Sequence, residues 1–185
     1  FRSVAVSRFS DAGAHGLLDS WGIETRSGDL LSEAFLKSLP QSPHIFYLAG
    51  MKFGTTRQES LTWAMNTYLP GKVCEQFPKS RIVAFSTGNV YPLSPVVHGG
   101  SKESDPVEPV GEYAMSCLGR ERIFEHFSRT NGIPVSILRL NYAVELRYGV
   151  LCDLAQKVYY GKPIDLTMGS VNVLWQGTAN AYAIQ

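Results

Sequence analysis

The sequence has few cysteines and no grouping of metal-binding residues. Its three cysteines and four histidines are scattered along 185 residues, and no two cysteines form a CxxC pair. A structural zinc site needs such residues at short, regular spacings, and a disulfide framework needs a denser, even set. The sequence therefore predicts neither a disulfide framework nor a metal site, and it fits a reducing compartment such as the cytoplasm.

An excess of charge and a long apolar run are also lacking. The net charge is +1, so the chain has no basic field of the kind that binds nucleic acid or acidic membranes. No apolar run approaches the length of a membrane span. The first residues also lack the basic and apolar segments of a signal peptide. We therefore expect a globular cytoplasmic protein whose partners are neither nucleic acid nor membrane.

What the sequence contains is an alternation of short apolar strands with helical patterns. Strands are predicted over 3–7, 23–25, 44–49, 81–86 and 135–140, and helices over 11–21, 32–39, 59–77, 113–130 and 151–160. Pro70 should kink or break the helix 59–77. The pattern predicts an α/β fold with a doubly wound parallel sheet, Rossmann-like, because continuous apolar strands need helices on both faces.

The regular alternation ends near Leu140. We therefore predict a main domain over residues 1–140 and the beginning of a smaller, substrate-binding region over residues 141–185. The chain starts at Phe1 without Met, directly before a strand, and stops at Gln185 inside a helical pattern. Both features indicate an incomplete chain.

Polar residues follow four of the predicted strands, where open α/β sheets bind their ligands. The segments are Ser7-Arg8, Gly50-Met51-Lys52, Thr87-Gly88-Asn89 and Asn141-Tyr142. Their hydroxyls, amides and cations suit a ligand that carries phosphate and sugar groups. Ordinary loop polarity explains these residues equally well.

Six segments occur in an order that favours a ligand site over ordinary loop polarity. They are Gly28-Asp29-Leu30, the strand ending at Gly50, Asn66 inside a long helix, Ser86-Thr87-Gly88-Asn89-Val90-Tyr91, Tyr113 with Ser116 and Glu121, and the strand ending at Leu140-Asn141. In order and spacing the chain resembles the NAD(P)-dependent epimerase/dehydratase family, the extended short-chain dehydrogenase/reductases. The resemblance covers nearly the whole chain.

The resemblance implies an enzyme that acts on a sugar nucleotide or a related hydroxyl-bearing substrate. Tyr113 would be the general acid and base, and Thr87 would orient the reacting hydroxyl. The implied cofactor is NADP or NAD. Its predicted contacts are Arg8, Asp29, Leu30, Leu48, Ala49, Gly50, Asn66, Ser86, Tyr113 and Leu140, and the predicted substrate contacts are Asn89, Asn141 and Arg147. The helices 59–77 and 113–130 resemble those that pair into a homodimer interface.

Two of these assignments have an alternative. Arg8 follows a strand that should end near the adenosine ribose, where an Arg accommodates the phosphate of NADP and an acidic residue favours NAD. Ser7-Arg8 therefore favours NADP, although a solvated surface Arg is the plainer interpretation. Arg147 suits a substrate diphosphate, and a structural salt bridge explains it equally well.

The chain departs from the family in two places. It lacks the glycine-rich phosphate-binding loop, since Gly13 and Gly16 are better interpreted as surface helix residues, and that loop is expected in a βα unit before Phe1. The second departure is Cys117, which occupies the position of the family Lys, four residues after Tyr113 and on the same helix face.

The change to Cys117 removes the cation that would favour the ionised form of Tyr113. Arg120 lies two turns along the same face and is expected to be too far away to replace it, while Lys52 and Lys102 lie on loops. The sequence therefore leaves two functions open. The chain is either a slow or unusually assisted epimerase/dehydratase, or a non-catalytic NAD(P)-binding sensor or scaffold of the same fold.

Overall fold

The structure is a computed structural model that describes residues 2–52 and 54–185. The strands are β1 (Val4–Ser7), β2 (Glu24–Ser27), β3 (His44–Tyr47), β4 (Arg81–Thr87), β5 (Val135–Leu140), β6 (Tyr142–Val144) and β7 (Val173–Trp175). The helices are α1 (Ala12–Ser20), α2 (Glu33–Ser38), α3 (Glu59–Trp63), α4 (Leu69–Gln76), α5 (Gly111–Asn131), α6 (Val150–Tyr159) and α7 (Gln176–Ile184). The predicted α/β class is confirmed.

The strand ladders are parallel, and they form three groups. β1 pairs with β2, the order β3-β4-β5 makes a three-stranded sheet, and β6 pairs with β7. Among the described residues no ladder joins β1 to β3, which differs from the single continuous sheet that the alternation predicts. The register sets Thr87, the last residue of β4, opposite Leu140, the last residue of β5.

Four of the five predicted strands have different bounds, and two of them differ by two residues at one end. β2 covers residues 24–27 instead of 23–25, because Ser27 still pairs with Ser7 before the turn begins. β3 ends at Tyr47 instead of Ala49. Beyond it the backbone of Met51 bonds to a side chain instead of a strand, donating its N–H to Asn66 Oδ1 at 2.8 Å.

The predicted helix 59–77 is divided, as Pro70 suggested. α3 is followed by one π-helical turn, Ala64–Tyr68, and α4 then starts with Pro70 in its first turn. Proline has no N–H with which to bond the carbonyl four residues earlier, which belongs to Asn66. The wider π turn absorbs this disruption without ending the helical path.

The core lies between the three-stranded sheet and the helices α2, α4 and α5. Its buried members are Leu36, Leu39, Tyr47, Leu69, Val73, Cys74, Phe77, Ile82, Ala84, Phe124 and Ile133. They come from the apolar strands and from one face of each helix, as the periodicity predicts. This packing fixes α5 against β4, and so fixes the first turn of α5 near the carboxyl edge of the sheet.

Residues 141–185 form the β6-β7 ladder with α6 and α7, and they bury little of their surface. The buried apolar residues there are Val144, Ala179 and Ala183. In the part of the chain that the structure describes, every helix is too short or too polar to cross a membrane.

Candidate active site

Thr87 and Tyr113 meet at the carboxyl edge of the three-stranded sheet. Thr87 ends β4, is buried, and accepts a hydrogen bond from the N–H of Asn89 at 3.2 Å. Tyr113 lies in the first turn of α5, half-buried, and its phenol lies near enough to the Thr87 side chain for Thr87 to lower the pKa of that phenol. The two side chains that the sequence singled out therefore converge, and a substrate hydroxyl near Tyr113 would be within reach of both.

The pKa of the Tyr113 phenol is raised to about 12. Burial is the main cause, and the neighbouring Cys117 thiol raises the pKa further. The Thr87 side chain and the charge of Arg120 lower the pKa of this phenol, against the effect of burial. Without a ligand, Tyr113 is therefore a protonated phenol near neutral pH, which suits a proton donor better than a base.

Cys117 lies one helical turn after Tyr113 and is fully buried. Burial raises the pKa of its thiol, while the charge of Arg120 and a hydrogen bond with Tyr113 lower it. The net result is a neutral thiol at pH 7, so Cys117 cannot supply the positive charge that a Lys would bring to this position.

Arg120, which the sequence places two turns from Tyr113, still acts on this pair, although its effect on the pKa of Tyr113 is the weakest of those present. Its charge acts on both the Tyr113 phenol and the Cys117 thiol. A helical side chain covers the turn before its own Cα atom, so the long Arg120 side chain extends back along α5. The spacing of seven residues between Tyr113 and Arg120 does not show how far the Arg120 side chain extends.

Asn66 is fully buried, and all four of its hydrogen-bonding positions are used. Oδ1 accepts from the N–H of Met51 at 2.8 Å and from Arg120 Nη2 at 2.7 Å, while Nδ2 donates to the Met51 carbonyl at 3.0 Å and to Ser116 Oγ at 2.9 Å. No surface remains for the direct cofactor contact that the resemblance implies. Asn66 instead ties the end of β3 to α5.

A second buried network lies on the other side of β4. Glu121 accepts two-pronged hydrogen bonds from Arg139 of β5, the closest at 2.6 Å, and Ser86 also donates to it. Arg139 also donates a hydrogen bond from Nη1 to the Tyr91 hydroxyl. Ser86 and Tyr91 are therefore held by this ion pair, which the sequence analysis did not identify. Glu121 and Arg139 are far apart in sequence, so only the fold brings them together.

The predicted cofactor contacts lie along the carboxyl ends of β1 and β3. Leu48 follows β3 and is 68% exposed, although it is a leucine at the end of a core strand. Ala49 is half-buried beside it, and Gly50 is exposed. Arg8 is also exposed, and no carboxylate among the described residues pairs with its guanidinium. The exposed Leu48 side chain, close to Gly50, which has no side chain, leaves a surface on which the flat face of a ligand ring could pack.

The Gly28-Asp29-Leu30 turn follows β2. Asp29 is exposed and uses Oδ1 to accept from the N–H of Leu31 at 2.9 Å, which shapes the turn. Leu30 is half-buried against the core. A Cβ at Gly28 would lie 2.3 Å from the Phe35 ring, so the turn needs glycine for packing.

The predicted substrate contacts fall into two groups. Asn89 and Asn141 are exposed beside Thr87, and Asn141 lies so close to Gly88 that an added Cβ would be 2.2 Å from its Oδ1. Arg147 is apart from them in this structure, 86% exposed and paired with Glu145 at 3.0 Å. The alternative interpretation of Arg147, a salt bridge, therefore describes what the structure shows.

Lys52 provides a further cation near this edge. Its ammonium group lies over the ring of Tyr142, 5.5 Å from the ring centroid. Among the described residues no three His, Cys, Asp or Glu side chains are grouped as a metal site would require.

The chain matches the NAD dependent epimerase/dehydratase family over residues 2–166. The chain belongs to this family. The resemblance drawn from the six motifs is thereby confirmed, and family membership carries NAD dependence as the family's described property. No curated protein matches the chain.

Solved structures show the same fold at low sequence identity. Pal from Bacillus thuringiensis superposes with a TM-score of 0.84 at 15% identity, covering 99% of this chain and 64% of its own. UDP-glucuronic acid 4-epimerase from Bacillus cereus, in complex with UDP-glucuronic acid and NAD, has a TM-score of 0.76 at 18% identity, covering 97% of this chain and 64% of its own. UDP-glucose 4-epimerase from Thermotoga maritima, with UDP-glucose, has a TM-score of 0.80 at 15% identity, with coverages of 98% and 63%.

These likenesses confirm a Rossmann-like fold for this member of the epimerase/dehydratase family. At such low sequence identities, these structures show that the fold is shared and show nothing further. The chain also spans only 63–64% of the length of these three proteins. What the whole protein acts on is therefore a matter for proposal.

Proposed function

We propose that this chain is the larger part of an NAD-dependent epimerase or dehydratase that acts on a sugar nucleotide. The observation that carries the proposal is the convergence of Thr87 and Tyr113 at the carboxyl edge of a parallel sheet. This edge is where open α/β sheets bind ligands. Family membership and the sugar nucleotides bound by two of the superposed structures support the substrate class.

In the proposed reaction Tyr113 first loses its own proton, and its phenolate then takes the proton of a substrate hydroxyl while Thr87 holds that hydroxyl in place. A bound NAD would supply hydride-transfer chemistry at the same carbon. The substrate carbon thus becomes a carbonyl, and its reduction from the opposite face, with the proton given back by Tyr113, completes an epimerisation. Asn89 and Asn141, exposed beside Thr87, would contact the sugar.

The residues present fit part of a dinucleotide site. We propose that Leu48, Ala49 and Gly50 line the ring-binding face, that Asp29 and Leu30 border the adenine, and that Leu140 and Ser86 support the strand ends beneath the nicotinamide. The exposure of Leu48 supports this assignment. The family is described as NAD dependent, which outweighs the preference for NADP drawn from Arg8. Titration with each dinucleotide would test this choice, and tighter binding of NADP would reverse it.

We also propose the predicted division at residue 140 and the homodimer. The strand-end residues of the proposed cofactor site lie within 1–140, while 141–185 would contribute to the substrate side. In a homodimer the outer faces of α3, α4 and α5 would pair, and Leu61, Tyr68 and Met115 are more than a third exposed there. A monomeric mass in light scattering at micromolar concentration would contradict the dimer.

The test of function is turnover of UDP-sugars by the purified full-length protein with NAD, followed by separation of the sugar epimers. We expect Tyr113→Phe to lower kcat by at least about a hundredfold, as loss of a positioned acid–base group commonly does. Tyr159→Phe removes an equivalent hydroxyl from an exposed site on α6 and should leave kcat unchanged. Equal kcat values for Tyr113→Phe and the parent would contradict the proposal.

The raised pKa of Tyr113 and the missing Lys favour one competing function, a non-catalytic NAD-binding protein. It predicts tight NAD binding without conversion of any UDP-sugar. It also predicts that Cys117→Lys changes only NAD affinity. The catalytic proposal instead predicts measurable conversion by the parent protein.

A further inference from the structure

Arg120 is a buried cation whose hydrogen-bond partners are all neutral. It is 6% exposed, and it donates from Nη1 to the Phe85 carbonyl at 2.7 Å, from Nη2 to Asn66 Oδ1 at 2.7 Å, and from Nε to the Asn66 carbonyl at 3.3 Å. No Asp or Glu in the described ranges lies within salt-bridge distance of it. A buried charge is costly unless it is paired, so an uncompensated guanidinium calls for an explanation.

The guanidinium of Arg120 lies among three acceptors, the Phe85 carbonyl and the backbone and side-chain oxygens of Asn66, which together form what we call its seat. Pro70 has no N–H to offer the Asn66 carbonyl, so that carbonyl is open to Arg120 Nε. The π turn carries Asn66, whose amide holds Arg120 on one side and Ser116 on the other. Ser116 in turn donates to the Tyr113 carbonyl at 2.9 Å. Arg120 is thus linked, through two hydrogen-bonded side chains, to the helical turn that carries Tyr113.

The seat lies at the proposed cofactor face. A Cβ added to Gly50 would be 2.3 Å from Arg120 Nη2, so the guanidinium rests directly against the backbone that follows β3. The carboxylate next along α5, Glu121, pairs with Arg139. Its charge also raises the pKa of the Cys117 thiol. The other titratable groups around the seat are Cys117 and the phenol of Tyr47, whose ring centroid lies 5.7 Å from the Arg120 guanidinium carbon.

We propose that Arg120 is a positioning residue that supplies, from one turn further along α5, the positive charge that Cys117 cannot. This inference rests on the proposed function. The charge acts through Tyr113 by favouring its ionised form, and the Asn66–Ser116 link fixes the turn from which the phenol projects. Arg120 would also place a cation beside Gly50, in the segment proposed to line the dinucleotide site.

The first test uses the cofactor-free protein. Tyr113 is replaced by a fluorinated tyrosine, whose more acidic phenol titrates in an accessible range, and its ionisation is followed by fluorine NMR. We expect Arg120→Met to raise the apparent pKa of this phenol and to lower its ionised fraction at a given pH by at least about twofold, because the variant removes a positive charge that favours the phenolate. Arg120→Lys keeps the charge while losing hydrogen bonds, and should leave the midpoint near that of the parent.

Asn66→Asp is the second variant, in case Arg120→Met does not fold. It gives the guanidinium a carboxylate partner and removes the two hydrogen bonds that Asn66 Nδ2 donates to Met51 and Ser116, and the Tyr113 midpoint should again rise because the positive charge is offset. Cys117→Lys combined with Arg120→Met should return the midpoint toward the parent value. A purely structural Arg120 would change the unfolding midpoints of these variants and leave the Tyr113 titration unchanged, which would overturn the inference.

Turnover separates this inference from the proposed function. If the protein converts UDP-sugars, the rising limb of kcat/KM against pH should move to higher pH in Arg120→Met. If it converts none while the Tyr113 midpoint still responds to Arg120, the inference about charge stands and the proposed function fails. Conversion with an unmoved limb and an unmoved midpoint would leave the function standing and overturn the role of Arg120.

Discussion

Glu121 shows at the scale of one residue how a buried charge depends on its partner. Its carboxylate is 1% exposed and pairs with Arg139, so removing it leaves Arg139 as an uncompensated cation. We expect Glu121→Ala to lower the free energy of unfolding by about 3–5 kcal/mol, measured by urea denaturation. Glu125 forms an exposed pair with Arg122 on the same helix, and Glu125→Ala should cost less than about 1 kcal/mol. Similar losses for the two variants would contradict this account.

At the scale of the element, α5 and the π turn approach each other so closely that an added methyl group would destabilise the contact. A Cβ at Gly119 would lie 2.7 Å from Thr67 Oγ1, whereas a Cβ at Gly71 of α4 would meet Ile123 and Phe127 at an ordinary 3.6 Å. We expect Gly119→Ala to destabilise by about 1–3 kcal/mol through overpacking. Gly71→Ala should instead stabilise by up to about 1 kcal/mol, since it only removes backbone freedom.

Thermal unfolding of the two variants beside the parent checks this prediction. The change is one methyl group in each case, and both sites belong to the same helix layer, so the pair isolates the close approach of α5 to the π turn. A raised midpoint for Gly119→Ala would show that the helices separate freely there. The proposed seat of Arg120, which depends on the same contact, would then be loosely held.

For the whole molecule, the buried thiols and phenols predict a loss of stability in alkali. Burial raises the pKa of Cys74 to about 12 and that of Tyr113 to about 12, and it also raises the pKa of Tyr47. These groups ionise in the unfolded chain at about pH 8.5 to 10 but stay protonated in the folded one. The folded state therefore binds more protons, and the free energy of unfolding falls as pH rises from about 9 toward 12.

Denaturant unfolding at a series of pH values, with Cys74→Ala as the comparison, measures this linkage. The variant starts from lower stability because it loses core packing. Its stability should nevertheless fall less steeply above about pH 9, since one of the groups responsible is gone. Parallel curves for the parent and the variant would show that Cys74 does not contribute.

The sequence predicted most of the elements because their signals are local. Apolar runs marked β3, β4 and β5, and the pair Asn131-Gly132 marked the end of α5, where Gly132 has a φ of 70°. Pro70 marked the break in the helix 59–77, because the missing N–H is a property of that residue alone. The π turn that follows from this break depends on packing against α5, and no local signal predicts it.

The candidate site likewise has some residues that local sequence signals predicted and others that only packing brings together. The motifs around Thr87 and Tyr113 were visible in sequence, because their spacing within each segment is short and fixed. The contacts of Arg120 with Asn66 and Phe85, and of Glu121 with Arg139 and Ser86, join residues 18 to 54 positions apart. Spacing along α5 did not predict these contacts of Arg120, because it shows where the backbone of a residue lies and not how far a long side chain reaches.

The sequence by itself determined the α/β class, the family, and the substitution of Cys117 for a lysine. Each of these depends on which residues are present and in what order. Only the tertiary structure decided what surrounds Tyr113, where the charge of Arg120 lies, and that Asn66 is enclosed instead of facing a ligand. Burial and electrostatic fields depend on distances through space, and these exist only once β3, β4 and α5 have packed together.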